Sequence, residues 1–426
     1  MWVLELNDVN IRLFYDGELR YQHPAIALVE GKRFLFGREA MAHFRIDPAI
    51  CHSQYLQKIN QDRISLDRRL EITQADLLYR HLLQIRSEIT LQSSDPVWVV
   101  VASDTTMDQV SLLLSILQAA EITVVDFIDS ALAASSVQEV PDQAVFLDMG
   151  LHRTSASTVH YGDRFEVKSA NSIVGVGLVS FVNNWINTVA NRSLSESRFD
   201  PRTFGSTEQQ VYEQLLTQIN QESDILTLEI EHRDETRQIV INRSDLAEAS
   251  EGLFHSLLDG LTNSESIVLT TLTASLPGIK NFLLSQGHNF HVCNELWSND
   301  VVSQFPVRED FSVEERQFWR QIPEVVPEAK PLARETEVEP EVKEPSHILY
   351  GEIAYPLDAS YTAFGEESSQ ALFSIDKQDG CWILKPEPQI KVVVDGRPVD
   401  DAVQLELGTS IRVDQYEYKL ISVMHG

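Results

Sequence analysis

The stretch VWVVVASDTTMDQVSLLLSILQAAEITVVDFIDSALAA, residues 97–134, decides the fold class of this 426-residue chain. Its opening run of apolar, mostly β-branched residues predicts a strand over 97–102 that is covered on both faces. Apolar residues then repeat at the helical period, which predicts a helix over 106–120. A second strand follows at 122–128, and a helix of small residues begins at Ser130. Strand, helix and strand in this order form a right-handed crossover, so we expect an α/β fold.

An acidic hairpin lies on each side of this crossover. Residues 2–15 (WVLELNDVNIRLFY) precede a turn at Asp16-Gly17, and residues 144–160 (AVFLDMGLHRTSASTVH) precede a turn at Gly162-Asp163. Each hairpin combines an apolar strand, an acidic residue, a short polar loop and a returning strand. Because each hairpin leads into further strands and a helix, the sequence predicts a duplicated domain.

Residues 1–300 resemble the actin-like ATPase superfamily, and within it the nucleotide-binding domains of heat shock protein 70 (DnaK-type) chaperones. Besides the crossover and the hairpins, four segments match in the family's order: His23–Val29, Phe34–Ile59, Ile173–Ile186 and Ser266–Leu284. The resemblance implies a duplicated ribonuclease H-like domain. It also implies that the two hairpins are phosphate loops, which clamp a nucleotide and its metal ion from either side.

The resemblance assigns roles to individual residues. Lys58 falls at the family's catalytic lysine and Asp148 at its metal-side aspartate, so these two are the catalytic candidates if the chain is active. The family's water-orienting glutamate maps to Ser130 or, with a shift of one residue, to Asp129. We expect no separate metal site. The nucleotide-binding candidates are Glu5, which can replace the family's first aspartate, together with Asn7, Asp148, Gly150, Thr154 and Thr271.

The loops differ from the family where phosphate contact is made. The family's first loop is Asp-x-Gly-Thr-Thr, whereas residues 5–9 read ELNDV, so the glycine is missing and Asp8 faces the phosphate site. A carboxylate beside a triphosphate is repulsive, by about 1 kcal/mol per charge pair even in water. The second loop is Asp-x-Gly-Gly-Gly-Thr in the family, and residues 148–154 keep only its aspartate and first glycine, with Thr154 one position late. Glycines allow backbone amides to approach an anion closely, so we expect a degenerate nucleotide cleft.

A further departure lies at the adenosine site. Where the family has a Gly-Gly pair, this chain has Thr271 and Leu272, whose side chains need the space of the nucleotide. The leading expectation is therefore a nucleotide-free scaffold without a cofactor. Binding of ATP and magnesium without turnover, or slow hydrolysis by an atypical ATPase, are the alternatives.

The composition restricts the partners. The chain has 64 acidic and 34 basic residues, and its formal net charge of −30 argues against nucleic acid and favours a protein partner with a basic surface. Cys51, Cys293 and Cys381 are too scattered for a disulfide framework or a zinc site, so we expect a cytoplasmic protein. We expect no membrane insertion, because no apolar run approaches the roughly 20 residues that span a bilayer.

The C-terminal part has a different character. We assign residues 1–320 to the ATPase-type domain, 321–346 to an acidic linker rich in Pro and Glu, and 347–426 to a small all-β domain. Apolar runs at about ten-residue spacing in the last segment resemble a forkhead-associated (FHA) β-sandwich. Glu366 stands where that family has its phosphate-binding arginine, and only Ser369 matches its serine-containing run, so we expect no phosphopeptide binding.

Together these features predict a non-enzymatic scaffold or adaptor, in which a degenerate chaperone-type domain is tethered to a protein-interaction β domain. The alternative is an atypical ATP-dependent switch that hydrolyses ATP and is related to chaperones. The missing glycines of the two loops favour the scaffold.

Overall fold

The structure of the chain is a computed structural model. It describes residues 1–64, 72–136, 143–161, 164–221, 223–233, 235–261, 266–293, 302–305, 316–322, 345–350, 353–357, 360–364, 371–378, 381–388, 390–395, 397–399, 401–405, 407–413 and 416–421. The chain divides into two compact units, Met1–Val326 and Pro327–Gly426. The larger unit mixes helices with several sheets, and the described residues of the smaller unit form antiparallel sheets, so the α/β class is confirmed.

The described strands of the larger unit are β1 (Trp2–Leu6), β2 (Ile11–Tyr15), β3 (Glu18–His23), β4 (Ala27–Glu30), β5 (Arg33–Phe36), β6 (Cys51–His52), β7 (Pro96–Val101), β8 (Thr123–Asp129), β9 (Gln143–Met149), β10 (Arg153–Tyr161), β11 (Phe165–Val174), β12 (Ile225–His232), β13 (Glu235–Asn242), β14 (Ser266–Leu269), β15 (Asn289–Val292) and β16 (Phe318–Trp319). Its helices are α1 (Gly37–Met41), α2 (Gln74–Ile89), α3 (Met107–Ala119), α4 (Ser130–Ser136), α5 (Leu178–Ser197), α6 (Gly205–Gln218), α7 (Arg243–Asp259), α8 (Thr271–Ser275) and α9 (Ile279–Ser285). Short 3₁₀ turns occupy Pro201–Thr203 and Val302–Gln304.

Two sheets of the larger unit share one arrangement of strands. In the first, the order is β3-β2-β1-β7-β8, with β1–β3 antiparallel and β7 and β8 parallel to β1. In the second, the order is β11-β10-β9-β14-β15, again with three antiparallel strands followed by two parallel ones. The hairpin loops after β1 and β9 therefore occupy equivalent places in the two sheets.

The crossover of residues 97–134 forms as its pattern predicts. Strand β7 is buried on both faces: Val97, Val99 and Val101 pack into one hydrophobic core, and Trp98 and Val100 into another. Thr106 and Gln109 close a capping box at the start of α3. Successive residues of a strand point to opposite faces, so one apolar run supplies both cores.

A short segment, residues 316–322, joins the edges of the two sheets, and we call it the strap. Strand β16 pairs in parallel with β8, and the next residues turn to β11: the Val167 amide donates to Arg320 O at 2.8 Å and the Ile322 amide to Phe165 O at 3.0 Å. Ile322, which the sequence assigned to the linker, is thus hydrogen-bonded to the larger unit, which extends to Val326. Residues 323–344, the rest of the predicted linker apart from its last two residues, lie outside the described residues.

The smaller unit has two antiparallel sheets around one hydrophobic core. Its described strands are β17 (His347–Tyr350), β18 (Ile353–Pro356), β19 (Ser360–Phe364), β20 (Ala371–Gln378), β21 (Cys381–Pro386), β22 (Val392–Val394), β23 (Arg397–Val399), β24 (Val403–Leu405), β25 (Ser410–Val413) and β26 (Tyr416–Ile421). The sheet orders are β18-β17-β26-β25-β22-β23 and β19-β20-β21-β24. Glu366 and Ser369, on which the expectation about phosphopeptides rests, lie outside the described residues.

A ladder of glutamines covers the open edge of β12. Gln214 Nε2 donates to Glu229 O at 2.7 Å, and its Oε1 accepts the Glu229 amide at 2.8 Å. Gln210 makes the same pair of bonds with Glu231, and Gln218 donates to Thr227 O. Four helical residues rise about 6 Å and two strand residues about 6.8 Å, so the two repeats stay in step over this length. The glutamine amides thus replace a neighbouring strand and cover an edge that is otherwise open to association.

We predict that Gln214→Ala frees this edge. The variant removes both bonds to Glu229, so hydrogen exchange at the Glu229 amide should accelerate, with a loss of unfolding free energy of about 1 kcal/mol. Thr217→Ala is the matched control, because the Thr217 hydroxyl donates only to Glu213 O within the same helix. Unchanged exchange at Glu229 in Gln214→Ala would contradict the role of the ladder.

Candidate functional site

The first loop holds its own acidic residue in an ion pair. Glu5 lies at the end of β1, directly opposite Arg12 on β2. Arg12 Nε and Nη2 donate to the two carboxylate oxygens of Glu5 at 2.6 and 2.8 Å. Such a paired geometry is strong and planar, so the charge of Glu5 is compensated within the hairpin.

Asp148, at the end of β9, is fixed from both sides of the site. Asn7 Nδ2 donates to its Oδ1 at 2.7 Å, and Ser130 Oγ donates to its Oδ2 at 3.0 Å. Burial, with a further contribution from the charge of Glu5, raises the pKa of Asp148 to about 7. The first and second loops are therefore connected directly, through Asn7 and Asp148.

Asp8 makes the second connection between the loops. Its Oδ1 accepts the backbone amide of Leu151 at 2.7 Å, and burial raises the pKa of this carboxyl to about 6. A Cβ atom built on Gly150 would lie 2.6 Å from the same oxygen, so only glycine admits Asp8 here. The side chain expected to repel a phosphate instead binds the loop amide itself.

The first amides of α5 are also bonded to the second loop. The Leu178 amide donates to Gly150 O and the Val179 amide to Leu151 O, both at 2.9 Å. The N-terminus of a helix binds an anion through such amides when they are free. Here backbone carbonyls of the loop accept them.

The remaining predicted residues have separate surroundings. Lys58 is exposed. The pKa of His152 is lowered first by its own burial and second by the charge of Lys58. His152 Nε2 lies 2.7 Å from Ser53 Oγ. Thr154 is buried and donates to Val176 O at 2.6 Å. Thr271 donates to Cys293 O at 2.9 Å and lines the cleft. The structure thus unites Glu5, Asn7, Asp148 and Gly150 around the loops, while the Thr154 hydroxyl is bonded to backbone and Lys58 lies at the surface.

The two residues to which the family's water-orienting glutamate maps, Ser130 and Asp129, make different contacts. Ser130 bonds Asp148, as described above. Asp129 is fully buried, accepts a hydrogen bond from Ser103, and pairs with Arg320 of the strap at 3.1 Å. Asp129 therefore supports the strap rather than the loops.

A clasp holds the segment after α1 against α6. The Arg45 amide donates to Gln209 Oε1, and Gln209 Nε2 donates to Met41 O, both at 2.8 Å. The Arg45 guanidinium lies 4.8 Å from the ring centre of Tyr212 and pairs with Glu208. No sequence pattern pointed to this clasp, because its partners are more than 160 residues apart.

Two small cavities adjoin each other in the cleft between the loops. A polar cavity of about 140 Å³, lined by Glu5, Asn7, Asp148 and Thr271, adjoins an apolar cavity of about 170 Å³. Leu272 lines both. Small-molecule sites usually span about 300–1,000 Å³. Each of these two cavities is smaller than that range, whereas a further cavity of about 450 Å³ also borders Thr271.

The residues present do not fit a magnesium nucleotide in this arrangement. Asp8 takes the loop amide, the α5 amides are bonded to carbonyls, and Asp148 is held by neutral donors. Within the described part of the chain, no group of three or more His, Cys, Asp or Glu side chains is arranged to hold a metal ion.

The chain matches no protein-family model and no curated protein. None of the described helices is both long and apolar enough to cross a bilayer.

We predict that Asp148→Asn stabilises the protein at high pH. The pKa of Asp148 is about 7 in the folded state and near 4 when unfolded, so the folded state binds the extra proton between these values. In the wild type, the raised pKa of Asp148 contributes to the unfolding free energy in full below pH 4. This contribution is lost as the pH rises to about 7. The gain in unfolding free energy should reach about 2–4 kcal/mol at pH 8 and vanish near pH 4.

Chemical denaturation of both proteins at pH 4, 6 and 8 measures this difference. Asp108→Asn, at an exposed position in the first turn of α3, serves as the control and should show no comparable trend. If Asp148→Asn changes the unfolding free energy by the same amount at all three pH values, the pKa of Asp148 is the same in the folded and unfolded states, which would contradict the prediction.

Proposed function

We propose that this chain is a non-hydrolysing scaffold or adaptor, built on an actin-like domain whose nucleotide cleft is closed by its own side chains. The observation that carries the proposal is the bond from the Leu151 amide to the Asp8 carboxylate. In a phosphate loop, such an amide donates a hydrogen bond to an anionic group of the ligand. Here the Asp8 carboxylate of the chain itself accepts that hydrogen bond. The Asn7–Asp148 bond joins the same two loops, and the Arg45–Gln209 clasp holds the segment after α1 against α6.

The repeated strand order supports the resemblance on which this proposal depends. Two sheets with the order and directions of β3-β2-β1-β7-β8 are what a duplicated ribonuclease H-like domain requires. Fold similarity alone does not determine function, so the argument for a scaffold rests on the loops.

The smaller unit is proposed as the interaction module of the scaffold. Its two antiparallel sheets are compatible with an FHA-like sandwich, and we retain a binding mode that does not need phosphate. The net charge of −30 favours a partner with a basic surface, since opposite charge speeds association and selects partners. We place this adaptor in the cytoplasm.

One cavity favours the alternative of an ATP-dependent switch. An open cavity of about 450 Å³ lies beside Thr271, with Arg243 and Lys280 in its wall, and this volume suits a nucleoside. The Arg243 guanidinium, however, already donates to the backbone carbonyls of Ile219, Gln221 and Ser275. The switch therefore remains the second candidate.

We predict that millimolar ATP with magnesium leaves the melting temperature of the full chain unchanged. A ligand at 100 times its dissociation constant stabilises a protein by about 2.7 kcal/mol, which a melting experiment resolves. Adding ATP and magnesium should likewise leave the melting temperatures of two variants unchanged, Asp148→Ala and the surface control Asp108→Ala. A clear shift in the wild type that Asp148→Ala abolishes would replace the scaffold by the ATPase switch.

A further inference from the structure

The apolar cavity of about 170 Å³ next to the polar cleft is walled by distant parts of the chain, and we call it the Met41 cavity. Its apolar wall includes Ile26 before β4, Met41 at the end of α1, Leu178 at the start of α5, and Leu216 and Ile219 in the last turn and C-cap of α6. Folded interiors contain few voids larger than a water molecule. A concave apolar space of this size with polar groups at its edge is therefore a candidate ligand site.

The volume of the Met41 cavity limits its ligand to a small molecule. An apolar cavity of about 150 Å³ lined by aliphatic and aromatic side chains is large enough to bind benzene. The Met41 cavity, at about 170 Å³, is of similar size. It can therefore hold an apolar group of about six or seven carbon atoms.

Two hydrogen-bond donors line this cavity without a partner. The side chain of Arg38 is exposed and makes no hydrogen bond or ion pair with the described residues. Tyr212 is only 1% exposed, and its hydroxyl also has no hydrogen-bond partner in the described part of the chain. A buried tyrosine hydroxyl usually has a partner. This hydroxyl is not sealed off by its neighbours, so its accessible surface lies on the cavity that the residue lines.

The charge on the wall selects an anionic ligand. Among the described residues that line the Met41 cavity, Arg38 alone carries a charge. The carboxylates of Glu5 and Asp148 line the polar cavity next to it and not this one. A carboxylate is the preferred partner of a guanidinium, and its two oxygens can accept from both Arg38 and Tyr212.

We propose that the Met41 cavity binds a small monocarboxylate with an apolar body, of the aryl or branched alkyl type. The apolar body packs against Ile26, Leu178 and Leu216, and the carboxylate accepts hydrogen bonds from Arg38 and the Tyr212 hydroxyl. The scaffold function does not require this ligand, so the two proposals stand independently.

The test is calorimetric titration of the full chain with sodium benzoate. Two reference ligands are titrated at equal ionic strength: sodium acetate, which has the charge without the ring, and benzylammonium chloride, which has the ring with the opposite charge. We expect saturable binding of benzoate and no comparable heat from either reference ligand, because the cavity requires an apolar body and an anion together.

Three variants and a control locate the site. Arg38→Gln and Tyr212→Phe should each weaken benzoate binding about ten- to a hundredfold, because each removes a hydrogen bond to a charged group. Leu216→Phe should abolish binding, since the larger side chain occupies space that the benzoate ring needs. Arg33 is exposed and does not line the cavity, so Arg33→Gln is the control and should bind benzoate like the wild type.

Three results would overturn the proposal: no more heat with benzoate than with acetate, equal binding of benzylammonium, or wild-type benzoate affinity in Arg38→Gln. Weaker binding in Lys280→Gln with unchanged binding in Arg38→Gln would place benzoate in the 450 Å³ cavity instead. If Leu216→Phe or Tyr212→Phe does not fold by circular dichroism, Arg38→Gln at its exposed position decides the matter. The ATP melting experiment is read separately, so failure of the scaffold proposal is distinguishable from failure of this one.

Discussion

The hydrogen bond from the Leu151 amide to Asp8 is the contact on which the rest of the site depends. Asp8 Oδ1 of the first hairpin loop accepts the Leu151 amide of the second at 2.7 Å, and both residues are buried. Hydrogen bonds to an ionised acceptor contribute about 1.5–3 kcal/mol. With this bond in place, Gly150 must remain without a side chain, and the Asn7–Asp148 bond can form beside it.

Closing a cleft with carboxylates has an electrostatic cost, and the structure offsets it locally. Glu5 has Arg12 as its partner across the hairpin, and Asp104 has Arg153. Asp8 and Asp148 rely on amide and hydroxyl donors instead, and burial raises the pKa of both. The site is consequently most stable when protons are available to these two groups.

The sequence predicted those parts of the fold that depend on local periodicity. The continuous apolar run of β7 and the helical period of α3 are patterns of neighbouring residues, and both hairpins follow from their apolar runs and turns. The sequence did not predict that Asp8 accepts the Leu151 amide, because no local pattern shows which amide of the second loop lies opposite. Arg45, Gln209 and Asp104 belong to no motif and acquire their partners only through long-range packing.

The strap shows the same limit and has a consequence of its own. Its ion pair with the buried Asp129, and the bond from Trp319 Nε1 to Asp126 at 3.1 Å, attach it to the first sheet. Its backbone bonds at Phe165 and Val167 attach it to the second. Removing the ion-pair partner of a buried carboxylate lowers the stability of the fold. The strap can therefore detach only if Asp129 pairs with another cation or is protonated. One short segment therefore holds both sheets, through the Arg320–Asp129 ion pair on the first and through backbone hydrogen bonds on the second.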